Sequence, residues 1–172
     1  TLAGFNDRLM NWLPTMIEHR CSIGERGGFF ERLRTGTWMG HVLEHVTLEL
    51  QSLAGTEVGY GRAHETKKHG VYNVIIEYKE EDFAVHCLHV AHSLLIAAIE
   101  GSHFDVGKTI ESLREKLLLE QLGPSTRSIV EAARRRDIPV RRLSEGSLVR
   151  LGIGSKQRRI IAAETDQTSA VS

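Results

Sequence analysis

The run Gly40-His41-Val42-Leu43-Glu44-His45 constrains this chain most, because it predicts a helix with two chemically different faces. Residues three and four positions apart are neighbours on a helix, so His41, Glu44 and His45 share one face. The opposite face is apolar and must be buried. It collects Met39, Val42, Leu43, Val46, Leu50 and Leu53. Such a helix packs on a core with one face and presents two imidazoles and a carboxylate with the other.

The spacing His-x-x-Glu-His is typical of the inverted zinc-hydrolase signature. In that arrangement His41 and His45 bind zinc as neutral imidazoles, and Glu44 is the general base for the bound water. Zinc is therefore the predicted cofactor. The alternative is a polar helix face that carries the same residue types without a metal. A third ligand is also needed, and the spacing does not identify it.

Composition excludes several other classes of protein. Hydrophobic residues make up 41% of the 172-residue chain and charged residues 26%, which is ordinary for a globular protein. We see neither an uninterrupted apolar run long enough to span a bilayer nor a leader, so we expect no membrane partner. The two cysteines, Cys21 and Cys87, show no metal or redox spacing and fit a reducing cytoplasm better than a disulfide scaffold, so we expect a cytoplasmic protein. The chain begins with Thr rather than Met, which suggests a piece of something longer.

Charge is distributed unevenly along the chain. Residues 1–123 contain 12 Lys and Arg against 17 Asp and Glu, a net of −5, whereas residues 124–172 contain 10 against 5, a net of +5. Arginine clusters such as those in the second part can bind nucleic acid. No aromatic residue follows Phe104, so no stacking surface for bases accompanies them. We therefore expect no nucleic-acid partner.

Hydrophobic periodicity predicts the order of elements over the first 122 residues. We predict a helix over 2–19 that breaks or restarts at Pro14, and a strand or helical turn over 29–34. The motif helix ends at Gly55, and strands follow over 56–62 and 71–79. Two further helices cover 81–101 and 104–122, the second capped by Asp105. His86, His89 and His92 lie on the first of these, and we interpret them as polar surface residues rather than as ligands.

Gly123-Pro124-Ser125 predicts a domain boundary. Beyond it we predict a helix over 126–136, capped by Ser125 and ended by Asp137-Ile138-Pro139. Short strands follow over 140–143, 148–151 and 159–163, and a polar loop over 165–172. The fold class is thus α+β: residues 1–122 form a small antiparallel sheet packed with helices, and residues 123–172 form a short α/β segment.

Several long segments resemble the N-terminal region of the cyanophycin synthetase family, in the same order and over nearly the whole chain. In the first half these are residues 13–22, 26–33, 40–50, 59–62 with Glu65-Thr66, and 70–74. In the second half they are residues 122–126, 151–160 and 165–170. The order α-β-β-α after the motif is also similar to pitrilysin-like and S-ribosylhomocysteinase-like metallohydrolases.

The resemblance implies a function for the whole protein and a smaller role for this chain. Family members are ATP-dependent ligases that polymerise aspartate and arginine into cyanophycin. They consist of an N-terminal domain, an ATP-grasp domain and a Mur-ligase-like domain. Residues 1–122 would be the first domain, and residues 123–172 the linker and the incomplete start of the ATP-grasp domain. ATP and magnesium would bind in the missing part, and we expect a homo-oligomer.

For residues 1–122 the resemblance implies that they bind and tether the growing polymer. It also implies a metal-dependent hydrolase that cleaves the polymer into primers, with His41 and His45 as ligands and Glu44 as the catalytic base. As third ligand we name Glu65, in the matching Gly-Arg-x-x-Glu-Thr segment, and Glu49, one turn beyond His45, as the second choice. The alternative is a structural or oligomerisation domain that has neither metal nor hydrolysis.

Overall fold

The computed structural model of the chain describes residues 2–21, 24–144, 147–162 and 164–165. The chain forms two compact units, Thr1–Arg114 and Glu115–Ser172. Over the described residues the fold is α+β, as predicted, with six α-helices and two small antiparallel sheets. The helices are α1 (Phe5–Trp12), α2 (Gly28–Thr35), α3 (Met39–Ala54), α4 (Glu81–Glu100), α5 (Val106–Glu120) and α6 (Pro124–Arg134). The strands are β1 (Gly61–Glu65), β2 (Tyr72–Ile76), β3 (Val140–Arg142), β4 (Val149–Leu151), β5 (Arg158–Ile161) and β6 (Glu164–Thr165).

The first unit begins with a helix that is interrupted at Pro14, as the sequence indicates. Helix α1 ends at Trp12 because Leu13, which precedes the proline, leaves the helical conformation and has φ −127° and ψ 64°. A 3-10 helix, Pro14–Glu18, then starts with the proline in its first turn. Residues 29–34, for which the sequence left strand and helix open, lie within helix α2.

Helix α3 is the centre of the first unit and contacts α4, the 3-10 helix, β1 and β2. Of its predicted apolar face, Val42, Val46 and Leu50 are buried, Leu43 and Leu53 are half-buried, and Met39 is 37% exposed at the first turn. The polar face is buried as well, because Glu44, His45 and Glu49 are each less than 10% exposed. The sequence pattern is amphipathic, but the neighbouring 3-10 helix and hairpin enclose both faces.

The hairpin β1–β2 is antiparallel, and its register pairs Gly61 with Ile76 and Glu65 with Tyr72. The first strand therefore begins later than predicted, since residues 56–60 are not a strand. The Glu77 carboxylate supplies the reason: its Oε2 accepts hydrogen bonds from the backbone N–H groups of Gly59 and Tyr60, at 2.8 and 2.9 Å. A side chain thus satisfies donors that a sheet partner would otherwise satisfy.

Close packing of this hairpin on α3 requires two glycines. A Cβ atom at Gly40 would lie 2.8 Å from Cβ of Tyr72 on β2, and one at Gly61 would lie 2.6 Å from Cγ and Oε1 of Glu44. Any side chain at either position would force the hairpin or Glu44 to move.

Helix α4 lies in the first unit, and α5 begins in the first unit and ends in the second; both are close to their predicted bounds. Asp105 caps α5 as expected, since its Oδ1 accepts the N–H of Lys108 at 3.0 Å. Among the described residues, α4 is the one helix long and apolar enough to cross a membrane by length and composition. Phe83, Cys87, Ala91 and Leu94 on this helix are fully buried, which is the pattern of a core helix.

The second unit contains α6 and a meander of four antiparallel strands in the order β3-β4-β5-β6. Its core consists of Leu122, Val130, Val149 and Ile160. The prediction that Ser125 caps the helix is wrong: Gly123 is the N-cap, and Pro124 occupies the first helical position because its fixed φ suits it. Helix α6 ends at Arg134, just before the predicted helix terminator Asp137-Ile138-Pro139, and Asp137 has a left-handed φ of 54°. The loop predicted over 165–172 lies largely outside the described residues.

Candidate metal centre

The two histidines of the motif face each other one turn apart on α3. Nε2 of His41 lies 3.1 Å from Nε2 of His45, and the two rings meet edge to face with their centroids 4.7 Å apart. Two zinc–nitrogen bonds at a tetrahedral angle hold their nitrogen atoms about 3.3 Å apart. The spacing predicted from the helix therefore produces a pair of nitrogens suited to one metal ion.

Cys21 is the third residue of this group. Its Sγ lies 3.0 Å from Nε2 of His41, and the ligand atoms of Cys21, His41 and His45 all lie within 4.8 Å of one another. Among the described residues these three form the one group of histidine, cysteine and acidic side chains close enough to hold a metal. Thiolate and imidazole are the preferred ligands of zinc, and three protein ligands leave a fourth position for water.

The chain segment that carries Cys21 is held beside α3 by backbone hydrogen bonds to the start of α2. Phe29 N–H donates to the carbonyl of His19 at 3.1 Å, and Gly27 N–H donates to the carbonyl of Ile17 at 2.6 Å. Phe29 is fully buried, and its ring centroid lies 4.3 Å from that of His45 and 5.9 Å from that of His41. The phenyl ring of Phe29 therefore forms the apolar surface against which both imidazoles pack.

Each imidazole of this pair also has a partner on its other nitrogen, Nδ1. Thr37 Oγ1 lies 2.8 Å from Nδ1 of His41, and Nδ1 of His19 lies 2.7 Å from Nδ1 of His45. Partners of this kind fix the orientation and tautomer of histidines that bind metals. Burial and the nearby Arg32 lower the pKa of His41, and burial with the charges of His19 and His41 lowers that of His45 to about 3. Both shifts favour the neutral ring, the form that binds a metal.

Glu44 lies at the edge of this group, with Oε1 3.9 Å from Nε2 of His45. Burial raises the pKa of Glu44 to about 7, and the charge of His19 partly offsets this effect. A carboxylate with a pKa in this range suits general-base catalysis near neutral pH. Gly61 on β1 is what leaves room for this side chain.

The structure brings neither of the two predicted third ligands to the group. Glu65 is exposed at the end of β1, opposite Tyr72. Glu49 is buried, but its Oε1 accepts a hydrogen bond from Thr15 and its Oε2 lies 2.8 Å from Nε2 of His19. Both carboxylate oxygens of Glu49 therefore already have partners, and the geometry favours Cys21 as third ligand.

Sequence reasoning missed Cys21 because its distance along the chain from His41 matches no metal-site spacing. The one feature of the sequence that could have indicated Cys21 is the segment Glu18-His19-Arg20-Cys21-Ser22, which is part of the resemblance to the family. It contains a histidine and a cysteine just before the glycines that turn the chain towards α2.

A cavity of about 550 Å³ opens onto the group. Cys21, His41, Glu44 and His45 line this cavity together with the exposed charged residues Glu18, Arg20 and Arg62. Glu18 is paired with Arg26 at 2.8 Å. The cavity therefore combines a compact group of ligand atoms with charges of both signs.

By fold and site, the first unit belongs to the class of α+β domains in which one helix carries two imidazoles and a buried carboxylate, and a separate segment places a thiol beside them. Comparison with known proteins then identifies the particular family. The family described as cyanophycin synthase-like N-terminal domain matches residues 1–100, and the chain belongs to it. The resemblance noted in the sequence is thereby confirmed.

Three curated relatives, each called cyanophycin synthetase, illustrate the similarity. The chain is 42% identical over 165 residues to the protein of Synechocystis sp., covering 94% of this chain and 19% of that protein. It is 40% identical over 170 residues to that of Geminocystis herdmanii, covering 97% and 20%. It is 40% identical over 164 residues to that of Crocosphaera subtropica, covering 94% and 19%. The chain thus spans about a fifth of the length of these relatives.

Proposed function

We propose that this chain handles the polymer for a cyanophycin synthetase, and that its metal centre cleaves that polymer internally to make primers. The observation that carries the proposal is the convergence of Cys21, His41 and His45 beside the buried carboxylate of Glu44. ATP-dependent addition of aspartate and arginine would belong to the full-length protein, with the ATP-grasp and Mur-ligase-like domains as partners in the same chain.

The donor set fits zinc, because one sulfur and two neutral imidazole nitrogens are borderline-soft ligands. Cys21, His41 and His45 would hold the ion. A zinc ion bound in this way lowers the pKa of a bound water and polarises an amide carbonyl. Glu49 and Glu65 have no role as ligands in this proposal.

Glu44 would move the proton during hydrolysis. Its carboxylate would accept a proton from the attacking water as the water oxygen bonds to the carbonyl carbon of a backbone amide. The same proton would pass to the amide nitrogen as the carbon–nitrogen bond breaks, which leaves a new carboxylate and a new amine. The raised pKa of Glu44 is consistent with both halves of this transfer.

Polymer binding would use the charges that line the cavity. Cyanophycin carries arginine on each aspartate side chain, so it presents guanidinium groups along a peptide backbone. Glu18 could bind a guanidinium group, while Arg20 and Arg62 suit free carboxylates, which arginine binds bidentately. A polymer held in this way stays at high effective concentration near the ligase sites.

The test is incubation of the purified chain with cyanophycin, with and without a chelator, followed by measurement of polymer length. We expect shortening that the chelator abolishes and that added zinc restores. Glu44→Gln should lower the cleavage rate about 10²- to 10⁴-fold, the usual contribution of a general base. Its zinc affinity and its cosedimentation with polymer should be unchanged.

The matched control is Glu111→Gln, because Glu111 is an exposed glutamate on α5. This variant should cleave at the wild-type rate. Binding without shortening in the wild-type chain would overturn the hydrolase and leave a docking domain. Neither binding nor shortening would favour the structural or oligomerisation domain.

A further inference from the structure

A buried hydrogen-bonded chain lies behind the candidate metal centre and has no part in the chemistry proposed above. It runs from Thr15 through Glu49 and His19 to His45. Glu49 is 4% exposed, and its contact with Nε2 of His19, at 2.8 Å, joins the segment after the 3-10 helix to α3. In this position the imidazole of His19 contacts the proposed ligand His45 directly, and the carboxylate of Glu49 holds the imidazole of His19 in place.

We propose that His19 and Glu49 are positioning residues that fix His45 in the tautomer that presents the Nε2 lone pair to the metal. The proposal rests on the proposed metal site. It adds two residues that the His-x-x-Glu-His signature does not contain. It also gives Glu49, one turn beyond the motif, a defined role that is not ligation.

The hydrogen positions follow from the chemistry of the groups in the chain. An ionised carboxylate only accepts hydrogen bonds, so Nε2 of His19 must carry the hydrogen that it shares with Glu49 at 2.8 Å. A metal bound at Nε2 of His45 leaves the hydrogen of that ring on Nδ1, which lies 2.7 Å from Nδ1 of His19. Nδ1 of His45 is then the donor, and Nδ1 of His19, whose ring hydrogen lies on Nε2, is the acceptor. His45 is left with a lone pair on Nε2, directed at His41 Nε2.

His41 is oriented by a simpler device. Its Nδ1 meets only the hydroxyl of Thr37, at 2.8 Å, and a hydroxyl can either donate or accept. Thr37 alone therefore does not determine the tautomer of His41, whereas the carboxylate at the end of the other chain determines that of His45. The two proposed ligands therefore differ in how strongly their hydrogen-bond partners fix the tautomer.

The first experiment measures the tautomer without metal. In ¹⁵N-histidine NMR spectra of the metal-free chain, Nδ1 of His45 should appear protonated and Nε2 unprotonated. His19→Leu removes the acceptor for Nδ1, so the spectrum should shift towards a mixture of tautomers. His19→Asn can keep an oxygen close to the position of the Nδ1 atom, and it should restore the wild-type pattern. A purely structural role for His19 would leave this tautomer unchanged in all three proteins.

The second experiment measures zinc affinity by competition with a chromophoric chelator. His19→Leu and Glu49→Gln should weaken zinc binding about 10- to 100-fold, the range found when partners of metal-bound histidines are removed. His19→Asn should recover most of that loss. The controls are His92→Gln and Glu111→Gln, which change exposed residues of the same types and should bind zinc as the wild type does.

Failure of this inference can be distinguished from failure of the proposed function. If the wild-type chain binds zinc and cleaves polymer, while His19→Leu and Glu49→Gln retain wild-type affinity and tautomer, the positioning role is overturned alone. If the wild-type chain binds no zinc, the proposed centre falls and this inference falls with it. Circular dichroism of each variant checks folding, and His19→Asn supplies the result if His19→Leu does not fold.

Discussion

Helices α3 and α4 both carry histidines at helical spacing, but the surroundings of those histidines differ. On α3, His41 and His45 are enclosed by Phe29, the segment of Cys21 and the hairpin, and each ring has a partner on its second nitrogen. On α4, His89 and His92 are exposed and His86 is half-buried. Over the residues that the structure describes, no metal-type group includes a histidine of α4. Enclosure and hydrogen-bond partners, rather than spacing, distinguish a candidate centre from a polar helix surface.

A matched pair of substitutions, one on each helix, tests the difference between α3 and α4 most directly. His45→Gln removes a proposed ligand, so zinc affinity should fall at least about 100-fold and polymer cleavage should be lost. His89→Gln makes the same change on α4 and should alter neither. Zinc competition and polymer length measure both effects. Equal zinc affinity in the two variants would contradict the assignment of α3 as the metal-binding helix.

A second pair tests which residue completes the α3 centre. Cys21→Ser replaces the thiol with a poorer zinc ligand, and we expect a loss of zinc affinity of about 10- to 100-fold. Glu65→Gln changes the ligand named from the sequence and should have no effect. Cobalt substitution gives an independent reading, because the sulfur-to-metal absorption band should be present in Glu65→Gln and absent in Cys21→Ser. The reverse pattern would restore Glu65 as the third ligand.

A smaller effect separates the base from the ligands. In Gly61→Ala the new methyl group would meet Cγ and Oε1 of Glu44 at 2.6 Å, so the carboxylate must move. Displacement of a catalytic group by about 1 Å can lower kcat about 10²-fold. We expect that loss with unchanged zinc affinity, and a fall in stability of about 1–3 kcal/mol from overpacking.

The control for this variant is Gly59→Ala, since a Cβ atom at Gly59 would meet no other atom within 4 Å. Kinetic and zinc-binding measurements on both variants should show a change in kcat for Gly61→Ala alone. A wild-type kcat in Gly61→Ala would mean that the position of Glu44 does not matter for cleavage.

The helices were predictable because apolar periodicity and local breakers fix them. Pro14 ended α1 as expected, and helical geometry alone placed His41 beside His45. The start of β1 was not predictable, because Glu77 from beyond β2 satisfies the backbone at Gly59 and Tyr60. The same is true of the cap at α6, where the first-turn preference of Pro124 outweighed the capping preference of Ser125.

The candidate centre was predictable in its local part and not in its long-range part. The motif predicted two candidate ligands and a candidate base, but the position of Cys21 beside α3 depends on contacts between segments that are distant in the sequence. These contacts include hydrogen bonds such as Phe29 N–H to the His19 carbonyl, which no periodicity reports. Glu49 was noticed because it lies one turn beyond His45, yet its partners His19 and Thr15 lie about 30 residues earlier in the sequence.

Phe29 contacts all three imidazoles of this region, with ring centroids 4.3 Å from His45, 5.9 Å from His41 and 6.2 Å from His19. The three imidazoles pack against the same buried phenyl ring, so their positions depend on one another. A substitution that removes the phenyl ring would therefore change the packing of all three imidazoles together. The relative placement of the three imidazoles thus depends on one apolar residue that carries no charge and is itself no ligand.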